Sequence, residues 1–169
     1  QVGVGTLPLD IEVSGGQPGR VIMTQGRPVF GEVLRDLTPV AEALGVEPTA
    51  FARTRLPLQV VSTGLGHLLV PVPDLDTIGR LRPNTAQLDT VLGNCGALGC
   101  FVFCLQATAP DTLAHARMFA PGAGVPEDPA TGSGNGCLAA YLVRHRFFGE
   151  NHIDIRSEQG YEIQRPSLL

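Results

Sequence analysis

Tryptophan is absent from the 169 residues, and aromatic side chains make up 5% of them. A platform of rings that stacks nucleobases is therefore not expected. Basic residues are sparse and scattered: 12 against 16 acidic ones, for a formal net charge of −4. Without a basic stripe, nucleic acid is not an expected partner. No apolar run approaches the roughly 20 residues that span a bilayer, and no charged segment leads into an apolar signal-peptide core. No membrane association is expected. The four cysteines, Cys95, Cys100, Cys104 and Cys137, lack C-x2-C spacing, so zinc is poorly supported. No spacing suggests any other metal or an organic cofactor. In GCFVFCL, a predicted strand, Cys100 and Cys104 share a face about 13 Å apart, too far for a disulfide. All four read as reduced core thiols, which points to the cytoplasm. Internal repeats and low-complexity linkers are also missing.

What is present is a core-forming composition, 43% hydrophobic and 17% charged, with 21 Gly and 14 Pro. That mix predicts a folded domain, or two small ones, with many turns and short strands. The strand-like start QVGVGTLPLDIEV runs into a predicted hairpin, LPLDIEV (7–13) and RVIMTQG (20–26), joined by a Gly-rich loop. Thr38, Pro39 and Gly45 mark the N-cap, first position and end of a short helix. LQVVSTG (58–64) and HLLVPV (67–72) read as strands, as do CFVFCLQ (100–106) and HARMFAP (115–121). Helices are expected over 74–81 and 84–93, and from about Ser133 to Arg146. HIDIRSE and GYEIQR alternate and read as two closing strands. Many short strands and one Ala-rich helix that is apolar all round predict an α+β fold, its sheet wrapped around that helix.

The chemistry concentrates in GVPEDPATGSGNGCLAAYL, residues 124–142. Pro126 and Pro129 stiffen the backbone and disfavour helix before them, so Asp128 is presented from an extended turn. Thr131, Gly132, Ser133 and Gly134 then lead into the helix, whose first N–H groups lack internal partners and attract anions. An acid beside such a site can exchange protons with a bound carboxylate. The same residues also fit ordinary capping, with Thr131 or Ser133 as the cap and Asp128 in solvent. Glu127 reads as a solvated charge. His67 reads as a structural histidine or a site residue.

The segment EDPATGS, together with PVFG (28–31), VAEALG (40–45), QVVSTG (59–64), HLLVPV (67–72), RMFAP (117–121), and QG (159–160) through RPS (165–167), resembles the phenazine-biosynthesis PhzF-like isomerase family almost end to end. That resemblance implies a diaminopimelate epimerase-like fold. Two similar domains would each wrap a barrel-like sheet around a central helix, with the active site between them. It implies that Asp128 and Ser133 belong to the site. Gly132, Gly134 and neighbouring amides would hold a substrate carboxylate, and Gly64 and His67 would line the same cleft. The family's catalytic glutamate and its G-H-P-T segment have no counterpart here. Residues 1–169 are thus expected to be mainly the C-terminal domain, its N-terminal domain missing as a partner and turnover lost in the fragment alone. The chain also stops soon after RPS, where relatives usually add a strand. Gly134 stands where relatives usually have alanine, and Cys137 where many have proline.

Three functions follow as expectations. The first is a cofactor-independent proton-shift isomerase acting on a small carboxylate-bearing metabolite, with a homodimer as the expected assembly. The second is a racemase or epimerase of the same fold; such enzymes place a thiol just before Gly-Ser-Gly, where this chain has Thr131, a far weaker acid. The third is a non-enzymatic protein that binds a small acid or assembles with partners.

Overall fold

The computed structural model of the chain describes residues 6–169; the first five residues of the predicted strand-like start lie outside them. The hairpin forms as expected. Strands β1 (Leu9–Ser14) and β2 (Gln17–Met23) pair antiparallel with Leu9 opposite Met23 and Ile11 opposite Val21. The turn uses Gly15 and Gly16, both at positive φ. This two-stranded sheet stands apart from the rest.

Among the described residues the main sheet has eight strands: β3 (Val29–Val33), β4 (Gln59–Ser62), β5 (Gly66–Pro71), β6 (Gly99–Cys104), β7 (Ala114–Ala120), β8 (Val125–Asp128), β9 (Ser157–Gln159) and β10 (Ser167–Leu168). Their order is β10-β9-β7-β6-β5-β4-β3, with β8 also on β7. β5 and β6 pair in parallel at the centre and are apolar at nearly every position, the pattern of strands covered on both faces. Successive side chains point to opposite faces. Leu68, Val70, Cys100, Val102 and Cys104 pack with helices α1 (Thr38–Leu44), α3 (Leu75–Gly79) and α4 (Thr85–Cys95). A one-turn helix, α2 (Thr49–Ala52), adds Phe51 to that layer. Leu69, Phe101 and Phe103 pack on the other face against α5 (Gly132–Arg144).

The α+β class holds, but the sheet is not closed into a barrel. It lies between two helical layers, and α5 covers one of its faces. Gly134, Cys137, Leu138, Tyr141 and Leu142 are buried, whereas Ala139, Ala140 and Val143 on the outer side are half-exposed. The helix is thus buried on most of its faces, with one side partly open.

Three local expectations differ. Thr38 is the first helical residue, not the cap; Leu37 occupies the cap position and makes no side-chain hydrogen bond. Gly45 does end the helix, left-handed at φ 71°. HIDIR forms no strand: Ile153 and Ile155 pack against the α5 side of the core. Alternation reports one-sided burial, which a strand shares with an extended segment that has no ladder. GYEIQR is a tight turn, not a strand. Gly160 sits at φ 83°, where a Cβ would run into the carbonyls of Pro129 and Arg165, and the Arg165 amide closes back on the Gly160 carbonyl at 2.9 Å.

Candidate active site

β8 and β9 share one edge of β7. β8 runs antiparallel with Asp128 opposite Met118, and β9 runs parallel with Gln159 opposite Ala116. Their ends meet at Arg117, so Asp128 and Gln159 become neighbours across 31 positions of sequence. Gln159 is fully buried. Its Nε2 donates to the Asp128 carbonyl at 2.6 Å and to Thr131 Oγ1 at 2.9 Å, while its Oε1 accepts from the Thr131 amide at 3.2 Å. Thr131 Oγ1 in turn donates to Asp128 Oδ2 at 2.5 Å. Thr131 therefore does not cap α5 with its side chain; it is turned back toward the acid. The helix start keeps its positive end and its unpartnered amides for another group.

At the second residue of α5, Ser133 Oγ meets His67 Nε2 at 2.9 Å. His67 projects from β5 toward α5 and is 1% exposed; its Nδ1 has no partner among the described residues. Burial lowers its pKa to about 4, against the opposing pull of the Asp128 charge. The imidazole is neutral at pH 7. Asp128 and Ser133 are half-buried and reach the surface.

The structure thus brings together Asp128, Thr131, Ser133 and His67. Gly132 is exposed at the same helix start, with open space where a Cβ would stand. Gly134 is fully buried, and a methyl there would overlap the Phe101 ring, so its small size serves packing. Gly64 lies exposed on the bend after β4, its amide bonded to Ser62 Oγ at 3.2 Å; among the described residues no hydrogen bond links it to the Asp128 group. A cavity of about 920 Å³ lies elsewhere, lined by Arg20, Asp111, Asp154 and Arg156 among others, and no residue of the Asp128 group lines it.

Several participants were not legible in the sequence. Gln159 fell within the family resemblance, but its partners are remote in sequence. Gln25, just after the hairpin, donates from Nε2 to the Gly132 carbonyl at 2.8 Å and accepts from Thr63 Oγ1. Gly136 makes room for it, since a Cβ there would strike the Gln25 carboxamide. Glu127 is not a solvated charge: its carboxylate is 10% exposed and bound by Arg117. Cys137 is fully buried, hydrogen-bonded to the Val61 carbonyl at 3.3 Å, and burial pushes its thiol pKa up. It has neither the position nor the acidity to supply a catalytic thiolate. His115 is bound on both ring nitrogens, by Glu158 at 2.6 Å and Glu162 at 2.9 Å. Among the described residues no group of three or more His, Cys, Asp or Glu is arranged to hold a metal ion, and no helix is long and apolar enough to cross a membrane.

Comparison with known proteins shows the family to which the chain belongs. The family model described as phenazine biosynthesis-like protein (PhzC-PhzF) matches residues 1–169. An uncharacterized isomerase of Clostridium acetobutylicum is 32% identical over the whole chain, which spans 57% of that relative. A trans-2,3-dihydro-3-hydroxyanthranilate isomerase of Pseudomonas fluorescens is 32% identical over 98% of the chain and 54% of its own length. The crystal structure of a PhzF-family phenazine biosynthesis protein from Bacillus anthracis superimposes with a TM-score of 0.83 at 29% identity, over 98% of this chain and 56% of that one. The chain thus spans a little over half the length of these relatives. It belongs to the PhzC-PhzF family of phenazine biosynthesis-like proteins, whose curated relatives are named isomerases.

Proposed function

We propose that this chain supplies the carboxylate-binding, proton-handling half of a cofactor-independent isomerase that moves a proton between carbons of a small carboxylate-bearing metabolite. One observation carries the reading: Asp128 is fixed beside a helix start that its own preceding residue leaves uncapped, with Ser133 and a neutral His67 next to it. The amides of Gly132, Ser133 and Gly134 and the Ser133 hydroxyl receive the substrate carboxylate, and Gly64 and His67 line the approach. Asp128 gives or takes the proton, or orients the group that does. The second base and the remaining wall of the cleft come from a second domain of the full gene product, in the two-domain arrangement of a diaminopimelate epimerase-like fold. The half-exposed outer side of α5 and the apolar hairpin suit such a covering. Without that domain the chain does not turn over. A homodimer and a cytoplasmic setting belong to the same proposal.

The relatives named for trans-2,3-dihydro-3-hydroxyanthranilate suggest the first substrate to try. The full gene product is incubated with that compound in heavy water and deuterium uptake at carbon is followed. Asp128→Ala should slow exchange by about 100-fold or more; exchange at the unaltered rate removes Asp128 from the mechanism. Binding without any exchange in the full product would favour the non-enzymatic small-acid reading. The racemase reading is the weakest, because Thr131 holds the thiol's place and Cys137 is sealed in the core.

A further inference from the structure

The hydrogen bonds around Gln159 have only one consistent direction. Carboxamide oxygen and nitrogen are normally assigned from their neighbours, and here both neighbours are backbone groups. The Asp128 carbonyl can only accept, so the group 2.6 Å from it is Nε2. The Thr131 amide can only donate, so the group 3.2 Å from it is Oε1. Asn135 agrees: its Nδ2 faces the Thr131 carbonyl at 3.0 Å, which makes it a donor toward Gln159 Oε1 at 3.5 Å. Nε2 has no lone pair to offer, so Thr131 Oγ1 accepts from it. The Thr131 hydroxyl hydrogen is then left for Asp128 Oδ2, 2.5 Å away.

We infer that Gln159 and Thr131 are positioning residues that keep Asp128 Oδ2 a permanent acceptor, so that any proton Asp128 exchanges with its ligand is carried on Oδ1. A proton on Oδ2 would face the Thr131 hydroxyl hydrogen, and the hydroxyl could accept it on its second lone pair only by turning its own hydrogen away from Asp128, the one acceptor it has among the described residues. Loss of the proton from Oδ1 leaves a carboxylate still held at Oδ2, so the acid keeps one orientation through both halves of a proton transfer. A ligand atom that receives this proton must therefore approach the Oδ1 side. The relay stands on geometry alone; its use in proton transfer rests on the proposed role of Asp128.

Neutron diffraction from crystals of the 169-residue chain grown in heavy water tests it. Deuterium is expected on Thr131 Oγ1 pointing at Asp128 Oδ2 at every pH. As the crystals are stepped to lower pH until the carboxyl takes up a deuteron, that deuteron should appear on Oδ1. A deuteron on Oδ2, or a Thr131 hydroxyl turned elsewhere, overturns the inference. Gln159→Glu preserves shape but, when ionised, replaces both Nε2 donors with acceptors, so the Thr131 deuteron should swing to residue 159 and leave Asp128. If that variant does not fold, Thr131→Ser should retain the deuteron on the path to Oδ2. A chain with this polarity but no isomerase activity in its full gene product would sink the functional proposal and leave the relay intact. An active product with the deuteron on Oδ2 would do the reverse.

Discussion

Arg117 grips Glu127 through two parallel hydrogen bonds, Nε to Oε1 at 2.9 Å and Nη2 to Oε2 at 2.7 Å. The side chains are 8% and 10% exposed, and Arg117 Nη1 also donates to the Ile78 carbonyl at 3.1 Å. Consecutive residues of an extended strand point to opposite sides, so the adjacent acids Glu127 and Asp128 divide their labour. One ties β8 to β7, and the other faces the helix start. Glu127→Gln leaves the buried guanidinium with only the more distant Glu162 carboxylate, 3.9 Å away, as counter-charge, and should cost about 3 kcal/mol of stability, read by denaturant unfolding. The apolar double variant Arg117→Met/Glu127→Leu should recover most of that loss, because buried pairs stabilise little over a well-packed apolar replacement.

The glycines at 132 and 134 should respond in opposite ways to the same substitution. Gly134→Ala drives a methyl into the Phe101 ring and should destabilise by about 1–3 kcal/mol. A smaller partner, Phe101→Leu, should restore part of it. Gly132→Ala meets nothing within 4 Å and should leave the unfolding midpoint unchanged or raise it by up to about 1 kcal/mol of helix propensity. In the proposed function it crowds the carboxylate site, so it should weaken substrate binding while the fold holds.

Two buried histidines give the stability opposite pH dependences. His67 has its pKa lowered to about 4 by burial, so the unfolded chain takes up its proton first. Stability from this residue is complete above about pH 6.5 and falls as pH drops from there toward 4, by on the order of 3 kcal/mol. Burial alone would lower His115 too, but its hydrogen bonds to Glu162 and Glu158 outweigh that and raise it. Its contribution is present below pH 6.5 and is lost as pH rises through the raised value. Unfolding midpoints of His67→Phe and His115→Gln across pH 4.5–8 should separate the two. The first flattens the acid limb and the second flattens the neutral-to-alkaline limb. A parallel shift of the whole profile in either variant would argue against the assignment.

The helices and the central strands were legible because their signals are local. Gly45 ends its helix left-handed as expected, and Leu68 to Val70 and Phe101 to Phe103 are apolar without interruption; the helix expected over 84–93 runs on to Cys95 and stops at the left-handed Gly96. EDPATGS set the extended Asp128 and the helix start at Gly132 for the same reason, since its prolines and small residues act on their own neighbourhood. The polar frame of the site was not legible. Gln159, Gln25 and Arg117 bond to groups 10 to 107 positions away, and no single-residue preference reports such partners. Glu127 illustrates the error in reading exposure from residue type: most glutamates are solvated, but β7 places an arginine opposite this one. Of HIDIRSE only Ser157 and Glu158 lie in a strand, because Ile153 and Ile155 alternate with polar residues only to bury one side.

The hairpin carries a consequence for handling the molecule. Leu9, Ile11, Val13, Val21 and Met23 are between 42% and 66% exposed, and the pairing of Leu9 with Met23 and Ile11 with Val21 puts four of them on one face of a ribbon. Attraction between such surfaces is entropic near room temperature and weakens on cooling. Cold, sulfate-free buffer is therefore the gentle condition for this chain. Warming or a kosmotropic salt should drive copies together through the ribbon, and light scattering should rise well before the core begins to melt.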